Sequence, residues 1–138
     1  GTHWVAQRER LTVMGARGHI GIVHSNNPTP IYFYTHWQGF SVCSTLAMGL
    51  AKAKEEGRLT DETYATRIIF DVLTGCTGDS TGYGIMIGDP AGDNEYDIPT
   101  VFWERDCAEP FVVYTDRRYS ADDFIALTPF GGREGVPL

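Results

Sequence analysis

Long hydrophobic runs are missing from this chain, and no stretch approaches the ~18 consecutive apolar residues that a membrane-spanning helix needs. A basic segment followed by an apolar core, the mark of a secretory signal, is absent from its first residues. Cysteine is scarce: Cys43, Cys76 and Cys107 are odd in number, widely spaced and without a C-x-x-C. That usage argues against a disulfide framework and for free thiols in a reducing cytoplasm. Positive charge is in deficit, with 11 Lys and Arg against 18 Asp and Glu and a net charge of -7. Non-specific nucleic-acid binding draws on clustered cations and is disfavoured by this balance. H-E-x-x-H does not occur, and the Gly-rich TGDSTGYG at 77–84 makes neither a phosphate loop nor a nucleophile elbow: it has no Walker lysine, and its GDSTG, although it fits the letters G-x-S-x-G, leads into a strand rather than a helix. Nothing here implies a cofactor or a resident metal.

What is present suits one small α+β domain. Of 138 residues, 42% are hydrophobic, enough to bury a core. The domain is read over 14–128, preceded by a leader or appended segment at 1–13 and followed by a loose tail at 129–138. Alternation at 19–24 and 31–37 predicts two strands joined by the turn-rich SNNPTP. Ile31, Phe33 and Trp37 share one face of the second strand, and Tyr32, Tyr34 and His36 the other. A helix follows from a Ser41 cap to Glu56, with Val42, Leu46 and Leu50 at spacing four and Cys43 alongside in the core. A second helix is capped at Thr60 and ended by Gly75, with Asp61 and Glu62 in its first turn. Strands at 83–87, 100–104 and 111–115 and a helical turn at 120–127 complete a ββααβββ order. The expected architecture is a mostly antiparallel sheet with the helix pair on one face.

Two groups of residues stand out as a candidate site. Tyr32, Tyr34, His36 and Trp37 combine aromatic area with hydrogen-bonding capacity and lead into a helix N-terminus, so they suit a planar ligand or a protein partner. Packing against a second layer is the competing account, since strands favour aromatics for that reason alone. The acidic loop at 88–97 carries Asp93, Asn94 and Glu95, and its oxygen ligands resemble a cation loop, although the EF-hand register is missing. A solvated loop explains it as well. His19 and His24 fall on opposite strand faces and do not chelate one metal together. A small metal-dependent or acid/base hydrolase centred on His36 and Glu95 is the catalytic alternative, if the strand and the loop meet.

Five segments in this order, MGARGHIGIV, IYFYTHWQG, ATRIIFDVL, TGYGI and GDNEYDIP, resemble a family of small uncharacterised proteins encoded by phages and prophages of actinobacteria. The similarity runs from Met14 to about Leu127 and departs in the residues before Met14 and in a longer loop at 88–97. It implies an accessory protein acting in the cytoplasm of a bacterial host and brings no catalytic residue with it. The resulting expectation is a non-enzymatic, homo-oligomeric binding protein that engages a host protein or sequesters a small molecule such as a nucleotide signal. Its site would centre on Tyr32, Tyr34, His36 and Trp37, with Asp93, Asn94 and Glu95 nearby and Arg17 receiving a phosphate.

Overall fold

The protein is described from a computed structural model over residues 16–90 and 96–127. The expected leader at 1–13, the tail at 129–138 and the triplet Asp93, Asn94 and Glu95 lie outside the described residues. Within them the chain runs β1 (Gly18–His24), β2 (Asn27–Thr35), α1 (Val42–Glu55), α2 (Glu62–Thr74), β3 (Tyr83–Ile87), β4 (Thr100–Phe102), β5 (Phe111–Tyr114), β6 (Arg117–Ser120) and α3 (Ala121–Leu127). The six strands form one sheet in the order β3-β2-β1-β4-β5-β6. Only the central β1–β4 pair is parallel; the other four neighbouring pairs are antiparallel. The α+β class and the helix pair on one face follow the alternation of the strands.

That alternation sorts the sheet into two faces. Ile20, Ile22, Phe33, Val101 and Val112 face the helices and are almost fully buried with Leu46, Leu50, Ala65, Ile69 and Phe124. Each fully buried Leu, Ile or Phe contributes about 1.5–3 kcal/mol of transfer free energy, so this layer carries the fold. Helices α1 and α2 approach closely at Gly49, where a Cβ would lie 2.9 Å from Ile69 Cγ1 and 3.0 Å from its Cα.

Several local expectations shift. The SNNPTP segment is mostly strand: β1 turns at Ser25 and Asn26, and Asn27 to Pro30 already belong to β2. Prolines are admissible there because Pro30 offers only its carbonyl to the β3 side, which accepts from Gly88 N at 2.8 Å. The second helix is capped by Asp61 rather than Thr60, the Asp61 carboxylate accepting from Tyr64 N, and Gly75 closes it at φ 65°. Ser41 makes no side-chain cap bond, because the 3-10 turn Gly39–Ser41 feeds the chain into α1. Arg117 and Arg118, both exposed, open a sixth strand, β6, that the expected order did not contain. Thr115 and Asp116, at φ 49° and 66°, make a two-residue turn of the type that matches hairpin twist. Ser120 Oγ accepts from Asp123 N at 3.0 Å and starts α3.

Cys43 sits in α1 against Tyr114 of β5. Burial, reinforced by Asp97, pushes its thiol up to about 11, although the Tyr114 hydrogen bond pulls the other way. Burial raises the Tyr114 hydroxyl as well. All three cysteines are free, Cys43 buried and Cys76 exposed.

Two outcomes follow from these packing relations. Gly49→Ala should cost about 1–2 kcal/mol net in urea denaturation, the crowding against Ile69 outweighing the ~1 kcal/mol that alanine gains over glycine in a helix. The unfolded Cys43 thiol ionises near its ordinary value while the folded one stays protonated until about 11. The unfolded state therefore releases its proton first, and stability should fall as pH rises through that window, by roughly 2 kcal/mol from this group. Melting curves from pH 8 to 11 should show a steeper decline for the native protein than for Cys43→Ala. In the same window a thiol reagent should label Cys76 well before Cys43.

Candidate functional site

The face of the sheet turned away from the helices holds the expected aromatic stripe. The strand registers align Met86, Tyr32, Gly21, Thr100, Val113 and Arg118 in one row across all six strands. A second row places Gly84, Tyr34 and His19 side by side, and a third Val23, Phe102 and Phe111. Among the described residues no helix packs on this face; α1, α2 and α3 share the other.

Its first half is polar and aromatic. Tyr32 and Tyr34 are half-buried, and both rings lean on the fully buried His19, at centroid separations of 6.3 and 5.4 Å. The Tyr34 hydroxyl lies 2.8 Å from His36 Nδ1 and donates to it when the imidazole carries its proton on Nε2. Arg17 immediately precedes β1, whose first residue, Gly18, pairs with Thr35 at the end of β2. These contacts bring His19, Tyr32, Tyr34 and His36 together.

Trp37 departs from the expectation that it shares the helix-facing row of Ile31 and Phe33. β2 ends at Thr35, whose hydroxyl accepts from the backbone N–H of Trp37 and Gln38 at 3.2 and 3.1 Å and bends the chain out of strand geometry. The indole then lies against Gly82 and edge-on to His36, 4.7 Å between centroids. It borders the stripe from the end of the sheet.

The second half of the face escaped the sequence reading. Phe102 and Phe111 stack at 5.2 Å and 9°, and the Arg118 guanidinium lies 3.6 Å over the Phe111 ring. Beside them is a shallow recess of about 510 Å³ bordered by Asp97, Thr100, Phe102, Val113 and Asp116. Alternation within TVF and FVVY carried the signal, but without the register of β4 against β5 the two phenylalanines could not be paired.

A separate recess of about 560 Å³ opens at the β1–β2 turn, with His24, Ser25, Glu62 and Arg105 on its wall. Its polar groups serve one another. The Glu62 carboxylate accepts from Ser25 N at 2.7 Å and from Ser25 Oγ at 2.5 Å, and His24 Nε2 meets Thr66 Oγ1 at 2.7 Å. These bonds lock the hairpin onto the first turn of α2. His24 projects to the helix side and His19 to the other face, as the alternation required. Among the described residues no group of three or more His, Cys, Asp or Glu is arranged to hold a metal ion, and no helix is long and apolar enough to cross a membrane.

Gly82 tests how the indole is held. At φ 95°, a Cβ there would fall on the Trp37 ring nitrogen, so Gly82→Ala should cost about 1–3 kcal/mol. It should also shift the tryptophan emission, a shift absent in a Trp37→Phe background. The comparisons with known proteins returned no matching family model, no matching curated protein and no matching solved structure.

Proposed function

We propose that this chain is a non-enzymatic binding protein that takes up a planar, anionic small molecule, such as a nucleotide, on the face of its sheet turned away from the helices. The observation behind this reading is the cluster of Tyr32, Tyr34 and His36 around the buried His19, with Arg17 directly before β1 in the chain. Tyrosine rings supply stacking area for a heterocycle, and the tyrosine and histidine polar atoms supply edge contacts. Arg17 supplies the cation for a phosphate or carboxylate. A net charge of -7 weighs against a long polyanion and leaves a small anion as the better electrostatic match. Sequestration of a nucleotide signal in a bacterial cytoplasm fits the resemblance to phage accessory proteins and belongs to the same proposal.

Docking of a host protein on this face is the other form of the reading. Catalysis by His36 with Glu95 gains no support, since Glu95 lies outside the described residues.

Native mass spectrometry of protein purified from a bacterial host, followed by calorimetric titration with nucleotides, checks the proposal. The expected result is a retained small molecule, lost on denaturation, with binding weakened by about a hundredfold or more in the Tyr34→Ala, His36→Ala double variant. Full retention in that variant moves the site elsewhere. A bare chain that also ignores the nucleotides, but captures a protein through an interface sensitive to the same two substitutions, replaces small-molecule uptake with protein docking.

A further inference from the structure

The two edges of the sheet differ in a way that the binding face does not explain. At one edge β6 carries the exposed Arg117 and Arg118 and passes straight into α3. Charge and a short strand are the usual protection of an edge against pairing. At the other edge β3 reads Tyr-Gly-Ile-Met-Ile, with no charge and no proline. Its register with β2 is unbroken from Ile31↔Ile87 to Thr35↔Tyr83, so no bulge turns it aside. Ile85 and Ile87 are 59% and 74% exposed on the helix-side face.

Its hydrogen-bonding groups are also set for a partner. Gly88 N donates to Pro30 O and His36 N donates to Gly82 O, which fixes the even-numbered residues of β3 as those turned towards β2. By alternation the N–H and C=O of Tyr83, Ile85 and Ile87 point away from β2, and among the described residues no further strand lies there.

We infer that β3 pairs with β3 of a second copy of this chain, antiparallel about a two-fold axis at Ile85, to make one continuous sheet. A strand edge of this kind is self-complementary, as a two-fold interface requires. Centred on Ile85, the outward-pointing residues meet as Ile85 with the partner's Ile85 and Tyr83 with the partner's Ile87. That makes three hydrogen-bonded pairs, or about six N–H···O bonds. The same pairs bring apolar side chains together on the helix-side face, the arrangement that stabilises cross-strand neighbours. Charge does not oppose it: Asp89 falls opposite the partner's Thr81 and faces no carboxylate in this register.

The pairing joins the two binding faces. An axis perpendicular to the sheet keeps the two faces turned away from the helices on the same side, with Met86 beside the partner's Gly84. The tyrosine stripes on the two β2 strands then lie three strand spacings apart, roughly 14 Å. The interface does not depend on what that face binds.

Sedimentation velocity across a dilution series, with hydrogen exchange at single-amide resolution, tests it on the unmodified chain. Expected is a monomer–dimer equilibrium in which the Ile85 amide is protected at high concentration and loses protection on dilution. Ile85→Lys, a charge on an exposed side chain, should weaken the dimer by about tenfold or more with the monomer's melting curve unchanged. A chain that stays monomeric at hundreds of micromolar overturns the inference, as does a dimer whose Ile85 amide exchanges freely. A dimer untouched by Ile85→Lys places the contact elsewhere and overturns it too.

Discussion

Burial of one face of the sheet beneath the helices is the constraint from which the rest of the molecule follows. Ile20, Ile22, Phe33, Val101 and Val112 must lie inward together, and because side chains alternate along a strand, every neighbour of these residues is turned outward. Tyr32, Tyr34, His19, Phe102 and Phe111 are therefore gathered on the opposite face by the same free energy that packs the core. Shifting β2 by one residue against β1 would bury Tyr32 and Tyr34 and expose Phe33, at a cost of several core side chains. The candidate site is as firmly placed as the core, although it contributes little to it.

Glycine fits the pieces at the points of closest approach. Gly49 lets α1 and α2 come together over Ile69, and Gly39 brings the 3-10 turn against the backbone of Ala16 and Arg17, its N–H donating to Ala16 O. On the face turned away from the helices Gly21 lies between Tyr32 and Thr100, and a Cβ there would collide with the Thr100 side chain. Gly84, by contrast, borders open space beside Tyr34. Gly49 and Gly39 tighten the packing, while at Gly84 a side chain would meet nothing within 4 Å.

The polar contacts that look most like catalytic machinery have structural work. Glu62 and Ser25 tie a hairpin turn to the start of α2, and His24 is held between Thr66 and the edge of Trp103, whose indole N–H donates to Leu59 O at 2.9 Å. Groups satisfied by one another in this way are poorly placed to act on a substrate. His36 is different: it lies at the margin of the sheet beside Trp37, with one ring nitrogen engaged by Tyr34.

Local pattern was enough for the α+β class, the two long helices, the Gly75 stop, the core position of Cys43 and the opposite faces of Phe33 and Tyr34, because each depends on periodicity or backbone preference over a few residues. The Ser25–Asn26 turn was hidden because asparagine and proline in SNNPTP signal a loop wherever they occur, and only pairing with β1 and β3 shows that the segment is strand. β6 was hidden because Arg117 and Arg118 carry no apolar alternation, yet Tyr119 anchors the strand in the core. The parallel β1–β4 pair and the Phe102–Phe111–Arg118 stack were decided by tertiary structure alone. Each joins residues far apart in the chain through strand order and register, and these are set by how the whole sheet buries its inner face.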